Sequence, residues 1–369
     1  PLTTNGEVAD DTRLRASLPT INHLLEHGAV VVLLSHLGRP KGRDLKLSLE
    51  PVARRLSQLL GRPIVFLPDC AGPEIQERVA SLRPGDVALL ENVRYHAGEE
   101  KNDPAFVRQL AQLGDVYVND AFGTAHRAHA STEGLAHVLP SAAGFLLQRE
   151  VEVLSSILEN PARPFTAIIG GSKISTKISV LEHLLPRVNR LVLGGGMANT
   201  FLKAQGYGVG ASLVEDDQLD VARKTLQTAQ QLQVQVILPQ DVAIADRFDA
   251  NANKRVVSID AVPEQWIILD IGPQTLRVVR DTLRSSATVL WNGPLGVFEI
   301  PAFAEGTLAV ARELASLPNV TSVVGGGESV AAIEQAGVAD KITHVSTGGG
   351  ASLELLEGRV LPGVAALRV

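Results

Sequence analysis

The chain has 369 residues and a formal net charge of −6, with 45% hydrophobic and 20% charged residues. This composition is ordinary for a soluble globular protein, and the length allows two or three domains. The net negative charge argues against nonspecific nucleic-acid binding, and the single cysteine, Cys70, excludes an internal disulfide or a cysteine metal cluster. The chain shows no signal peptide, and no apolar run approaches about 18 residues without glycine or charge, so we expect a cytoplasmic protein with no membrane association.

Helix-like and strand-like patterns alternate almost throughout the chain, which favours an α/β fold with mainly parallel sheets. Apolar residues recur at helical spacing within residues 10–28, and a buried-strand pattern follows over residues 29–35. Three later runs are candidate strands: PIVFL (63–67), DVALLE (86–91) and DVYVNDA (115–121). The segment 145–160 is typical of one long helix, and we place the domain boundary there.

Arginine and histidine follow the strand patterns of the first half, in SHLGRP (35–40), LLENVRYH (89–96) and NDAFGTAHRAHAS (119–131). Together with a residue in the first helix, they could converge above one sheet edge. The candidates are Arg13, His36, Arg39, Arg94 and Arg127. Guanidinium groups bind phosphate and carboxylate bidentately, so this set suits a small phosphorylated acid. A set of unrelated surface arginines is the open alternative.

Four strand-like runs in the second half end in glycines. They are FTAIIGGSK (165–173), NRLVLGGGMAN (189–199), VTSVVGGGESV (320–330) and ITHVSTGGGAS (342–352). A glycine lets a buried parallel strand turn sharply into a helix, whose free N–H groups and dipole favour an anion. Several such ends at the carboxyl edge of one sheet predict a floor for a polyphosphate. Alternatively, the glycines only permit close packing of helix on strand.

The segment GGSKISTK (170–177) is predicted to open a helix with Lys173 and Lys177 on one face. The helix dipole disfavours lysine at an N-terminus, so the pair indicates an anion that needs both ammonium groups. A solvated lysine pair is the alternative. Other nucleotide and metal motifs do not match, because GxxxxGK[ST], an HRD-type loop and GxGxxG are missing. His126 and His129 have no zinc-ligand spacing and are interpreted as phosphate-binding or structural residues.

Nine ordered motifs make the sequence similar to the phosphoglycerate kinase family from end to end. They are SHLGRP, LLENVRYH, NDAFGTAHRAHAS, GGSKISTK, GGGMANTF, LPQDVAIADRFD, DIGPQT, WNGPLGVFE and GGGASLELLEG. The resemblance implies two Rossmann-like domains joined by a hinge helix. It also implies a monomeric glycolytic enzyme that transfers a phosphoryl group between 1,3-bisphosphoglycerate and Mg²⁺–ADP, giving 3-phosphoglycerate and Mg²⁺–ATP.

By this resemblance, residues 1–144 bind the acid, 145–164 form the hinge, 165–350 bind the nucleotide and 351–369 return to the first domain. The acid-binding residues are implied to be Arg13, His36, Leu37, Gly38, Arg39, Arg94 and Arg127. The implied nucleotide-binding residues are Gly171, Lys173, Lys177, Gly195, Gly196, Asn292, Gly296, Glu299, Gly326, Gly327, Glu328 and Ser329. The groups expected to act in transfer are Arg13, Lys177 and the helix starts at Gly326 and Gly349.

Two departures from the family pattern matter. The first strand of the family, with its Asp-x-Asn-Val-Pro type of motif, is absent, and with it an acidic and an amide contact to the glycerate. Glu328 stands where the family has an aspartate that approaches Mg²⁺, and its longer side chain could still reach the ion. A noncatalytic nucleotide- or phosphate-sensing protein on the same fold remains an alternative. A dinucleotide-dependent dehydrogenase is disfavoured by the missing GxGxxG motif.

Overall fold

The computed structural model describes residues 1–367, which form two compact units. The first unit comprises residues 1–151 with 360–367, and the second comprises residues 152–359. The helix expected over residues 145–160 forms as Phe145–Glu159 and contributes residues to both units. Residues 360–367 belong to the first unit, and residues 368 and 369 of the segment expected to return to the first domain lie outside the described part of the chain.

The first unit contains five short strands and mostly short helices. Its strands are β1 (Val31–Leu33), β2 (Val65–Leu67), β3 (Val87–Leu90), β4 (Tyr117–Asn119) and β5 (Ser141–Ala143). Its helices are α1 (Thr12–Glu26), α2 (Glu50–Leu60), α3 (Pro73–Ala80), α4 (Ala97–Glu100), α5 (Pro104–Ala111) and, near the C-terminus, α14 (Pro362–Ala365), while α6 is the shared helix Phe145–Glu159. The first helix and the four expected strands are confirmed in type, although each strand is shorter than its apolar run.

Parallel pairing organises the first unit. Strands β1, β3 and β2 form one parallel sheet in that order, and β4 and β5 form a parallel pair. All four residues of β3 are buried, as a central strand covered on both faces requires. The returning C-terminal segment packs within this unit, where the backbone N–H of Gly363 donates to the carbonyl of Ala125 at 2.8 Å.

The second unit is built on a six-stranded parallel sheet. Its strands are β6 (Phe165–Ile169), β7 (Arg190–Leu193), β8 (Gln235–Ile237), β12 (Thr288–Asn292), β13 (Thr321–Gly325) and β14 (His344–Val345), in the order β14-β13-β12-β6-β7-β8. The four glycine-ended runs of the sequence supply β6, β7, β13 and β14. The α/β class with mainly parallel sheets is therefore confirmed. Strand β12 lies between β13 and β6, and Asn292 pairs in register with both Gly325 and Ile169.

A second sheet in this unit is antiparallel, which the sequence patterns did not indicate. Strands β9 (Asp241–Ala245), β10 (Lys254–Ser258) and β11 (Ile267–Ile271) pair in the order β10-β9-β11. The helices of the unit are α7 (Ile178–Leu184), α8 (Gly195–Ala204), α9 (Leu219–Gln231), α10 (Pro273–Arg284), α11 (Glu305–Ala315), α12 (Gly327–Gln335) and α13 (Gly350–Leu356). Across the described residues, none of the helices combines the length and apolarity that a membrane span needs.

Candidate active site

Two buried polar residues, Glu91 and Asn92, follow the end of β3 and hold neighbouring loops of the first unit in place. The side-chain amide of Asn92 donates to the carbonyls of Leu37 at 2.8 Å and Leu47 at 2.9 Å. The Glu91 carboxylate accepts bonds from the Ser48 hydroxyl at 2.6 Å and from the backbone N–H groups of Leu49 and Asn92. These bonds satisfy buried polar groups, and the bond from Asn92 to Leu37 fixes the loop that carries His36 and Arg39.

Arg94 is the most buried arginine of the predicted acid-binding set, with a side chain only 4% exposed. Its Nη1 donates to the carbonyl of Gly38 at 2.8 Å, and its Nε lies 3.8 Å from a carboxylate oxygen of Glu100. Within residues 1–367, neither its Nε nor its Nη2 has a hydrogen-bond partner. A buried guanidinium with two donors left over is arranged to receive an anion, because unpaired buried donors are costly.

The predicted basic residues of the first unit share one electrostatic environment. Burial, together with the positive charges of Arg94, Arg127, His129 and Arg13, lowers the pKa of His36 to about 4. Burial also lowers the pKa of Arg94, where Glu100 opposes the shift and Arg127 and Arg39 add to it. Each of the five predicted basic residues thus takes part in an electrostatic interaction with His36 or Arg94. They form a basic cluster, defined as Arg13, His36, Arg39, Arg94 and Arg127.

In the second unit, the turns after β6 and β12 interlock through glycines. The backbone N–H of Gly170 donates to the backbone carbonyl of Asn292 at 2.9 Å, and the N–H of Gly171 donates to the carbonyl of Pro294 at 3.1 Å. A Cβ on Gly170 would lie 2.0 Å from the Pro294 carbonyl oxygen, and a Cβ on Gly293 would lie 2.2 Å from the Gly170 carbonyl oxygen. No side chain fits such contacts, so these glycines are required for the close approach of two backbones.

The turn after β7 joins the same assembly. Gly195 has φ +70°, and its N–H donates to the carbonyl of Leu295 at 3.0 Å. The N–H of Met197 donates to the carbonyl of Gly171 at 3.0 Å. A Cβ on Gly196 would lie 2.9 Å from the carbonyl oxygen of Ser172. Three glycine turns at the carboxyl edge of one parallel sheet therefore form a continuous backbone surface.

Lys177 and Asn292 meet at this edge, where the ammonium group of the lysine donates to the side-chain oxygen of the asparagine. The amide nitrogen of Asn292 donates to the carbonyl of Gly325 at 3.0 Å, which links the end of β12 to the end of β13. Burial lowers the pKa of Lys177, whereas the negative charges of Glu328 and Glu357 raise it. Lys177 and Glu328 are therefore electrostatic neighbours at the predicted phosphate edge.

The predicted helical placement of the lysine pair is wrong. Helix α7 begins at Ile178, so Lys177 is its N-cap residue, and Lys173 lies exposed in the preceding turn. The turn is stabilised by Ser175, whose backbone N–H and hydroxyl both donate to the carboxylate of Glu215. This contact spans 40 residues and keeps residues 173–177 out of the helix.

The remaining residues predicted to bind the nucleotide or to act in transfer differ in their exposure to solvent. Gly326 (φ +92°) and Gly349 (φ +51°) are the N-cap residues of α12 and α13. Gly327 and Glu328 are exposed in the first turn of α12, and Glu299 is exposed in the turn after β12.

Ser329 and Gly296, by contrast, are engaged inside the fold. The buried hydroxyl of Ser329 accepts from the N–H of Gly293 at 2.5 Å. Gly296 is also buried, and a Cβ there would lie 2.4 Å from a carboxylate oxygen of Asp270. Both residues therefore support the loops from within.

Two kinds of site-supporting residue were not identified from the sequence. Asn92 holds the loop 35–40, and Glu91 holds residues 48–49. Pro294 and Leu295 supply the carbonyls that accept from the N–H groups of two glycine turns. His129, left open as phosphate-binding or structural, lies among the charges that act on His36. In the sequence, the only signal for these supporting roles is that the residues come shortly after the end of a strand.

Known proteins resemble this chain over nearly its full length. The model of the family described as "Phosphoglycerate kinase" matches residues 1–359. Phosphoglycerate kinase of Moorella thermoacetica is 60% identical over 363 residues, covering 98% of this chain and 92% of the relative. A Triticum aestivum protein named "Phosphoglycerate kinase, cytosolic" is 55% identical over 370 residues, covering 100% of this chain and 92% of the relative.

Solved structures give the same result for the fold. The structure of phosphoglycerate kinase from Coxiella burnetii matches with a TM-score of 0.91 and 44% identity, covering 99% of this chain and 92% of that one. Phosphoglycerate kinase from Pyrococcus horikoshii matches with a TM-score of 0.85 and 34% identity, covering 99% and 93% of the two chains.

Proposed function

The chain belongs to the phosphoglycerate kinase family, and from this premise we infer how its residues carry out the reaction of that family. The protein is an ATP:3-phosphoglycerate 1-phosphotransferase. In the glycolytic direction, it transfers the phosphoryl group of 1,3-bisphosphoglycerate to ADP, giving 3-phosphoglycerate and ATP. The noncatalytic sensor and the dehydrogenase considered as alternatives are not supported.

We propose that the basic cluster of the first unit binds 3-phosphoglycerate. The observation that carries this proposal is Arg94, whose buried Nε and Nη2 have no hydrogen-bond partner in the described chain. An acid with both a phosphate and a carboxylate would supply acceptors for such donors and would offset the mutual repulsion of Arg94 and Arg127. Leu37 and Gly38 belong to the same substrate loop, since Gly38 already receives the Nη1 bond of Arg94.

The nucleotide is proposed to bind at the glycine turns of the second unit. The helix starts at Gly195, Gly196, Gly326 and Gly327 suit its phosphates. The N–H groups of Gly171 and Gly195 already donate to the carbonyls of Pro294 and Leu295, so these two glycines are proposed to line the site through the shape of their backbone. Lys173 and Lys177 add positive charge, and Asn292 orients the second of these lysines. Glu299 and Gly296 are proposed to border the same nucleotide.

Mg²⁺ is proposed to accompany the nucleotide, and the residues at the edge fit it. Glu328 is an exposed carboxylate in the first turn of α12, close enough to Lys177 to act on its charge. Mg²⁺ is typically held by one or two carboxylates together with substrate phosphates and water, so one glutamate is sufficient. When bound, the ion neutralises phosphate charge during transfer.

The chemistry follows from the charges of the two substrates. A carboxylate oxygen of 3-phosphoglycerate forms a bond to the γ-phosphorus of ATP, while the bond from that phosphorus to the bridging oxygen breaks and ADP leaves. No general base is needed, because the acceptor is already a carboxylate. Catalysis therefore depends on positioning and charge stabilisation. We assign these roles to Lys177, Arg13 and the helix starts at Gly326 and Gly349.

A coupled assay of ATP-dependent 1,3-bisphosphoglycerate formation tests the function directly. We expect saturable turnover that requires both 3-phosphoglycerate and Mg²⁺–ATP. Binding of both substrates without turnover would instead favour a noncatalytic nucleotide- or phosphate-sensing protein.

The cellular setting and the mechanics are further proposals. We propose a cytoplasmic monomer that binds no nucleic acid, consistent with its net charge of −6 and with the name of the wheat relative. We also propose that the helix Phe145–Glu159 acts as a hinge in the catalytic cycle. Sedimentation measures the oligomeric state. Solution scattering should give a smaller radius of gyration with both substrates than with either alone, and equal radii would contradict the hinge role.

A further inference from the structure

Three potential metal ligands of different chemistry meet in the first unit, outside the basic cluster. Asp69 and Cys70 follow the end of β2, and His96 follows a turn of 3₁₀-helix at residues 93–95. The ligand atoms of these three residues, a carboxylate oxygen, the thiol sulfur and an imidazole nitrogen, all lie within 4.8 Å of one another. The phosphoryl-transfer chemistry described above uses none of them.

Hydrogen bonds and ring stacking hold the three residues of this cluster in place. The Nε2 atom of His96 lies 2.6 Å from the Oδ1 atom of Asp69. The His96 ring also stacks on Phe106, with centroids 5.0 Å apart, which fixes the plane of the imidazole. The backbone N–H of Cys70 donates to the same Asp69 oxygen at 2.7 Å. The three ligand atoms are therefore held close together, and the Nε2 atom of His96 and the Oδ1 atom of Asp69 would move apart to admit an ion between them.

The cluster is closed on one side and open on the other. Cys70 is completely buried, whereas the side chains of His96 and Asp69 are 33% and 42% exposed. An ion could enter from solvent and would keep a position for water after binding three protein ligands. Three protein ligands with one open position is a common arrangement around zinc.

We propose that Asp69, Cys70 and His96 form a site for a borderline-soft divalent cation of the zinc type. Thiolate and imidazole ligands select zinc and similar transition metals, whereas Mg²⁺ prefers an all-oxygen set. This site is therefore chemically distinct from the proposed Mg²⁺–nucleotide position at Glu328.

Co²⁺ is the probe for the test, because thiolate coordination gives it a near-ultraviolet charge-transfer band. Cys70 is the only cysteine of the chain, so such a band reports this site alone. The full-length protein, stripped with chelator and free of nucleotide, is titrated with Co²⁺ and then with Zn²⁺. We expect the band to saturate at one equivalent, Zn²⁺ to abolish it, and millimolar Mg²⁺ to leave it unchanged.

Variants separate a built site from a single reactive thiol. Cys70→Ser should lose the band, and His96→Gln and Asp69→Asn should each weaken Co²⁺ binding by at least about 10-fold, the lower end of the losses known for outer-shell partners. His137→Gln is the matched control, since His137 also pairs with a carboxylate, that of Glu133, but has no place in the cluster. Circular dichroism checks that each variant folds.

Two results would overturn the proposal. One is the absence of a saturable band in the unmodified protein. The other is a band that survives His96→Gln and Asp69→Asn with unchanged Co²⁺ affinity, because Cys70 would then bind metal without its neighbours. If Cys70→Ser does not fold, these two variants still decide the question.

Discussion

The ammonium group of Lys177 donates a hydrogen bond to the side-chain oxygen of Asn292, and the amide of Asn292 donates in turn to the carbonyl of Gly325. The lysine is therefore tied to the ends of two central strands, β12 and β13. Because both strands belong to the core sheet, the charge is held in place before any ligand arrives. Such preorganisation is what transition-state stabilisation requires.

Lys177→Ala is expected to lower turnover by at least about 10²-fold, the effect of losing one preorganised donor, with little change in the dissociation constant of ATP. Steady-state kinetics and nucleotide titration measure the two quantities separately. Lys173→Ala is the comparison, since Lys173 is exposed in the turn and should affect mainly nucleotide binding. Loss of ATP affinity with normal turnover at saturation would reduce Lys177 to a binding residue.

Glu328→Gln should raise the concentration of Mg²⁺–ATP needed for half-maximal rate and leave the affinity for 3-phosphoglycerate nearly unchanged. The reason is that the amide keeps the size of the side chain but loses the charge that a dication prefers. Kinetics at varied Mg²⁺ measure the effect, and Glu328→Asp should retain most function. An equal loss of affinity for both substrates would contradict the assignment.

Arg94→Lys is expected to weaken 3-phosphoglycerate binding by about 10- to 100-fold, because a charged hydrogen bond contributes about 1.5 to 3 kcal/mol and lysine cannot bind bidentately. Calorimetric titration of the acid measures this change. Nucleotide affinity serves as the internal control and should stay within about twofold. An unchanged affinity for the acid would place its binding elsewhere.

The pKa of His36 gives a test of stability against pH. Its folded pKa of about 4 lies below its ordinary value of 6.5, so the unfolded chain binds the proton more readily between these values. The contribution of His36 is therefore complete above pH 6.5 and is lost as pH falls toward 4. Between pH 7.5 and pH 5, the free energy of unfolding should fall by on the order of 1 to 2 kcal/mol more in the unmodified protein than in His36→Gln.

Denaturant titrations of both proteins in buffers without phosphate or sulfate measure that difference. The comparison cancels contributions from other groups, including His129, whose pKa burial also lowers. If the free energy of unfolding of the two proteins changed in parallel between pH 7.5 and pH 5, the pKa of His36 would not be lowered by folding, and the prediction would be wrong.

The parallel sheet of the second unit could be predicted from sequence because each strand is a local signal. The runs ending near Ile169, Leu193 and Gly325 are apolar and stop at glycine, and all three form as expected. The expectation that the basic cluster lies above one sheet edge holds only for the residues that follow β1 and β3, because β4, which precedes Arg127, pairs separately with β5.

Contacts between distant residues explain what could not be predicted. The placement of Lys173 and Lys177 failed because Ser175 is bound by Glu215, which a local helix pattern does not reveal. The antiparallel strands β9 to β11 were not predicted, because their pairing depends on one another and not on a local pattern. In addition, Lys254–Ser258 is mostly exposed and begins with polar residues. Likewise, the role of Asn92 depends on the distant carbonyls of Leu37 and Leu47.

The close approach of Gly170 and Gly293 has a consequence for how this protein tolerates mutation. A side chain at either position would collide with backbone atoms, not with a side chain that could shrink in compensation. No second substitution at the partner glycine can therefore rescue the first, and the two positions cannot vary as a pair. In a saturation library we expect both to accept glycine alone, whereas Gly208, with open space around its Cβ position, accepts many residues.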